Sequence, residues 1–195
     1  MKLVALAWAR MGWAKYLKGE NLTAMQFLNS AWLLSQAGTV ANRLGQVYEK
    51  QGQAAKAQHM YALAAAAGGA DVADSRERLR KLVGDAGAAQ KDAADAAAEL
   101  VQARTVKLGA ITNKAASARF NLVFDSSPRP ERAEFVDGDE SLRAAGESMR
   151  EKDFAVRFPD ASSIKIVRRG VVICAAAGCA VELLPIDATA GSAAK

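Results

Sequence analysis

From Met1 to Gly68, apolar side chains recur every three or four positions, the spacing that gives a helix a buried face. Helices are predicted at about 3–18, 22–36, 39–51 and 54–67, each amphipathic. A further helix is predicted at 71–83, where Leu79, Leu82 and Val83 are the apolar positions. After the breaker Gly84-Asp85-Ala86-Gly87, residues 88–103 are nearly all alanine, with Lys91, Asp92, Asp95 and Glu99 between them. Propensity makes this run helical, but its apolar face is thin, so it should pack weakly or act as a spacer. From Arg104 the period changes to the alternation of half-buried strands, predicted at 105–108, 119–124, 133–136, 164–174 and 180–184.

One helix, at about 140–152, interrupts the strands. Asp137 can cap it with Glu140 replying as a capping box, Asp139 suits the positive helix end, and Leu142, Ala145, Gly146 and Met149 form its buried stripe. Pro128 and Pro130 fall in the connection 125–131, as a loop between antiparallel strands would require. The expected fold is α+β: helices over 1–83, an alanine-rich linker helix over 84–104, and a small mixed or antiparallel sheet with one covering helix over 105–187. Residues 188–195 are expected to form a disordered tail.

Sliding the chain along itself until Gly12 meets Gly45 brings other small residues into register. At that offset Gly19 meets Gly52, Ala24 meets Ala57 and Ala31 meets Ala64; Met11 falls on Leu44 and Leu28 on Tyr61. The second unit reads Leu44-Gly45-x-x-Tyr48, then Gly52, Ala57, Tyr61 and Ala64. This pattern resembles the tetratricopeptide repeat, most closely over 38–68 and less so over 4–36, where Lys15 stands at the tyrosine position. Small residues there allow two antiparallel helices to cross closely, Tyr48 and Tyr61 fill the space left, and Gly52 ends a helix in a left-handed cap. Two such units are fewer than the usual minimum of about three, so 71–83 is read as a capping helix.

The resemblance implies a protein- or peptide-binding groove lined by the first helix of each unit. Its positions would be Leu6, Ala9, Trp13, Tyr16 and Leu17 in the first unit, and Thr39, Asn42, Gln46, Glu49 and Lys50 in the second. Trp13 and Tyr16 can equally pack on an upstream domain missing from this chain. The Lys/Arg/Asn pattern by which family members clamp a carboxylate tail is absent, with only Asn42 fitting loosely.

The order of elements from Phe120 to Pro185, with Asp137-Gly138-Asp139-Glu140-Ser141-Leu142 before the helix and Phe158-Pro159 after it, resembles the C-terminal domain of TonB-type proteins. Taken with the repeats, Arg104-Thr105-Val106-Lys107-Leu108, Val167-Arg168-Arg169-Gly170 and Gly178-Cys179, the chain is similar to the C-terminal part of bacterial cell-envelope proteins that carry a transglutaminase-like domain ahead of tetratricopeptide repeats. That resemblance implies a periplasmic or envelope location if the chain belongs to a longer secreted protein. No signal peptide is read here, since the apolar stretch 3–9 is short and the repeat register claims Trp8, so the alternative is the cytoplasm.

Composition narrows the chemistry. Alanine accounts for 44 of the 195 residues and aromatics for 6%, which favours helices packed through small side chains. Residues 1–68 hold seven Lys and Arg against two Asp and Glu, while 69–110 hold seven of each and 111–195 twelve of each. The whole net charge of +5 therefore belongs to the repeats. One histidine, His59, and two cysteines leave no metal site or catalytic triad, and no phosphate-cradling glycine loop or nucleophile elbow occurs. No catalytic residue, cofactor or small-molecule substrate is expected, and no apolar run is long enough to span a bilayer. Cys174 and Cys179 close a four-residue hairpin in which they would lie opposite, either as a disulfide in an oxidising compartment or as buried thiols. The expected function is a non-enzymatic interaction module. The alternative, nucleic-acid binding through the basic helices, lacks an aromatic-studded recognition sheet.

Overall fold

Glycine and alanine set how closely the first four helices approach. α1 (Lys2–Leu17) folds back on α2 (Asn21–Ser35), and α3 (Gly38–Lys50) on α4 (Ala54–Ala67). A side-chain carbon at Gly12 would stand 2.8 Å from Leu28 Cγ, and one at Gly45 would stand 2.5 Å from the Tyr61 ring. These are one contact met twice, once in each repeat, and no larger residue fits at either glycine. Gly19 and Gly52, which share a repeat position, take φ of +82° and +71° as the hairpins turn, a conformation that costs glycine no steric strain. α5 (Val72–Val83) then packs on α4 and α3.

The computed structural model describes residues 2–156 and 165–186, and among these it forms an α+β fold of seven α-helices and one five-stranded sheet. The chain divides into two compact units, one of helices up to Leu100 and one built on the sheet from Val101 to Leu184. Leu28, Leu44, Val47, Tyr61, Leu63 and Leu79 make the heart of the helical core. The expectation that all four repeat helices are amphipathic is corrected. Only α3 among them has a clear polar side; α1 leaves Leu3, Leu6, Met11 and Leu17 exposed, and α2 leaves Leu22 and Leu33 exposed.

Of the two expectations for the alanine-rich run, weak packing or a spacer, the first holds. α6 (Ala86–Arg104) buries Ala89, Ala96 and Leu100 in the helical core. It is tied to α4 by Gln58 Nε2 donating to Asp92 Oδ2 over 2.7 Å. Its apolar stripe is thin, but alanine's small radius lets it seat.

The sheet unit contains β1 (Thr105–Gly109), β2 (Ala116–Asp125), β3 (Pro130–Gly138), β4 (Lys165–Ala175) and β5 (Gly178–Leu183), in the order β1-β5-β4-β2-β3. Every pairing is antiparallel, so the mixed alternative falls away. β2 begins earlier than expected because its register with β4 runs unbroken from Ala116 opposite Cys174 to Asp125 opposite Lys165. Pro130 opens β3 opposite Phe124, on an edge strand where its missing N–H breaks no ladder. Phe120, Leu122, Phe124, Val172, Val181 and Leu183 bury on one face beneath Leu142, Ala145, Met149 and Phe154.

The single helix expected at 140–152 is replaced by a 3-10 turn (Glu140–Leu142) and a short α7 (Ala145–Arg150). The cap is Asp139, whose carboxylate accepts from Ser141 N at 2.9 Å and Ser141 Oγ at 2.7 Å. Asp137 is taken by Arg119 on the paired strand and Glu140 by Arg143, so the capping box does not form. The expected stripe of Leu142, Ala145, Gly146 and Met149 is nonetheless buried. Phe158-Pro159 and the expected tail lie outside the described residues.

Cys174 and Cys179 stand opposite one another on β4 and β5 and form a disulfide, with Cα atoms 4.0 Å apart.

Candidate functional site: an aromatic and cationic face on the first and third helices

Trp13 and Tyr16 lie one turn apart on α1, and Arg43 and Lys50 two turns apart on α3; each pair therefore projects from one stripe of its helix. The two stripes meet. The Trp13 and Tyr16 rings stack with centroids 4.8 Å apart. The Arg43 guanidinium lies 5.2 Å from the Trp13 ring centre, and Lys50 Nζ lies 5.0 Å from that of Tyr16. Arg43 Nη1 also donates to the Ala9 carbonyl at 3.5 Å. A cation over an aromatic face is attracted by about 0.5–1 kcal/mol when exposed and more when desolvated.

Positive charge predominates on this face. Burial pushes the Arg43 guanidinium below its ordinary value; Asp71 pulls it back up, and the neighbouring positive charge of Arg10 lowers it further. Among the described residues, neither Arg43, Lys50 nor Arg10 forms an ion pair. Lys15, at the same end of α1, is neutralised by Glu20 at 2.7 Å.

The expected groove residues of the second unit are used differently. Asn42 is 2% exposed; its amide donates to Asp74 Oδ2 at 2.9 Å and Ser75 Oγ at 2.8 Å, joining α3 to α5. Gln46 Nε2 donates to Asn42 Oδ1 at 2.6 Å. Glu49 accepts from the Tyr61 hydroxyl at 2.6 Å and from Arg78 Nη1 at 3.2 Å. Burial alone would raise the Asp74 carboxyl, but hydrogen bonds from Asn42 and Arg78 hold it below the usual range. The Tyr61 hydroxyl is driven well above its usual value by burial and then by Glu49. Asn42 and Glu49 are thus committed to holding α5 in place, and Gln46 to bracing Asn42.

The first unit's set divides as well. Ala9 is buried, Leu6 and Leu17 are exposed, Trp13 and Tyr16 are half-buried, and Thr39 is half-buried on α3. Of the expected groove, the structure brings together Trp13, Tyr16 and Lys50. Sequence reasoning missed Arg43, although a signal was there: Arg10 and Arg43 occupy one repeat position, just as Gly12 and Gly45 do.

Among the described residues, no group of three or more His, Cys, Asp or Glu could hold a metal ion, and no helix is long and apolar enough to cross a membrane. His59 faces solvent, 3.6 Å from Glu99. Compared with known proteins, the chain matches no family model, no curated protein and no solved structure.

Proposed function

We propose that this chain is a non-enzymatic interaction module of the tetratricopeptide-repeat kind, and that the face built from α1 and α3 holds an acidic segment of a partner protein. The observation that carries this reading is the pair of cations, Arg43 and Lys50, lying over Trp13 and Tyr16; among the described residues neither is in an ion pair, and Asp71 acts on Arg43 only at longer range. An aromatic anchor alone would favour an apolar ligand. Here the cations cover the rings, so a partner meets positive charge first and an aromatic edge second.

The repeated Gly12–Leu28 and Gly45–Tyr61 contacts support the tetratricopeptide reading. A helix between two hairpins of an antiparallel sheet agrees with the TonB C-terminal-like reading of the second unit. The Cys174–Cys179 disulfide favours an oxidising compartment, which fits the cell envelope.

Photo-crosslinking from a probe at position 17, beside the face, tests the function. Captured partners should carry acidic segments at the crosslinked site and should vanish in Arg43→Glu/Lys50→Glu and in Trp13→Ala/Tyr16→Ala. Capture unchanged by both double variants refutes the groove, and crosslinks chiefly to RNA or DNA favour the nucleic-acid reading.

A further inference from the structure

The third helical hairpin does not close as the first two do. In α1–α2 and α3–α4, a glycine on the first helix receives a large side chain from the second: Gly12 takes Leu28 and Gly45 takes Tyr61. One more repeat interval along the chain, the places of Gly45 and Tyr61 fall to Arg78 and Ala94. The small residue has become large and the large one small. Between α5 and α6 there is instead a half-open cleft of about 430 Å³.

The cleft has an apolar floor and a cationic rim. Leu79, 1% exposed, lies at its base, with Ala86, Ala89 and Ala93 along the α6 wall. Arg76, Arg80 and Gln90 are its polar residues, and among the described residues no carboxylate lines it. Arg80 is held by Glu77 through bonds of 2.9 and 3.1 Å. Arg76 has no ion pair among the described residues. A concave apolar site of this size with a few convergent polar groups is the usual form of a small-ligand pocket. A guanidinium without a carboxylate at its mouth selects for a planar anionic head.

We propose that the α5–α6 cleft binds a single-chain carboxylate amphiphile of the medium-chain fatty-acid class. The acyl chain would run over Leu79, Ala86, Ala89 and Ala93, with its carboxylate received by Arg76 and the Gln90 amide. The site is separate from the α1–α3 face and does not rest on the function proposed for it.

The test is calorimetric titration of the full-length chain with laurate below its micellar concentration, and with dodecanol as the uncharged control. One saturable laurate site is expected. Ala93→Phe, which fills the cleft, should abolish binding of both compounds. Arg76→Glu should weaken laurate about tenfold or more, one charge-assisted bond's worth, and leave dodecanol unchanged. If Ala93→Phe loses helical content, Ala86→Leu at the exposed lip is read in its place. Absence of saturable laurate binding by the folded chain overturns the proposal. So does laurate binding that survives the filled cleft, or dodecanol binding as tight as laurate and equally weakened by Arg76→Glu.

Discussion

The two units of this protein solve the same packing problem with opposite materials. The helical unit is held by what its helices lack: Gly12, Gly45, Ala24, Ala57 and Ala64 permit close crossings, and Leu28 and Tyr61 fill them. The sheet unit is held by bulk, with Phe120 edge-on to Phe135 and Phe124 edge-on to Phe154 at 5.6 Å, and is pinned by a disulfide at one hairpin. A unit that depends on absent atoms should be sensitive to added ones. A unit that depends on large side chains and a covalent tie should be sensitive to their removal.

The largest expected effect comes from adding atoms to the helical unit. Gly45→Val forces at least one carbon into the Tyr61 ring and should cost about 3 kcal/mol, the upper end for overpacking. Amide exchange should accelerate across α3, α4 and α5 while β2 and β4 keep their protection. Equal loss of protection in both units would break the comparison. Next in size, Cys174→Ala/Cys179→Ala should cost about 1–2 kcal/mol, because the loop that the bridge closes is short. That loss should be confined to the sheet unit in denaturant titrations followed by exchange.

A pH series sharpens the contrast. Tyr61 is buried and its hydroxyl is raised above the ordinary value of about 10. A raised folded value contributes stability that is complete below about pH 10 and is lost as the pH rises through the folded value. The helical unit should therefore weaken in alkaline denaturation from about pH 10 upward, and Tyr61→Phe should remove that component. At the acid end Asp74 behaves oppositely. Its lowered carboxyl contributes stability that is present above the unfolded value and lost as pH falls through the folded one. Half of that side chain is solvent-exposed, so screening keeps this effect below about 1 kcal/mol. The smallest effect is expected at Arg168, half-buried beside Arg104 with the Leu184 carbonyl as its acceptor at 3.0 Å. Partial burial with no carboxylate partner among the described residues makes this charge a burden, so Arg168→Met should leave the melting temperature unchanged or slightly higher.

Much of the helical unit was legible because steric exclusion writes itself into sequence. Only glycine or alanine fits at a helix crossing, so Gly12, Gly45, Ala24 and Ala57 recur at a fixed spacing. The sheet was legible in outline through alternation. Its details came from pairing, which propensity does not encode: residues 116–118 read as weak strand formers, yet β4 supplies partners for all three. The break at 143–144 was hidden because Arg119 claims Asp137 from a neighbouring strand, a competition invisible along the chain. The site was half legible. Trp13, Tyr16 and Lys50 follow from repeat positions, but the inward commitment of Asn42 depends on Asp74 and Ser75, which arrive two helices later on α5.

The central claim, that the α1–α3 face is a receptor for acidic peptide, is tested most directly by fluorescence anisotropy. A labelled glutamate- and aspartate-rich dodecapeptide would be titrated with wild type and with Arg43→Glu/Lys50→Glu at rising salt, beside an oligothymidine of equal length. The peptide should bind saturably, more weakly as salt rises, at least tenfold more weakly to the double variant, and more tightly than the oligonucleotide. Peptide binding indifferent to the charge reversal, or an oligonucleotide that binds more tightly than the peptide, would contradict that claim.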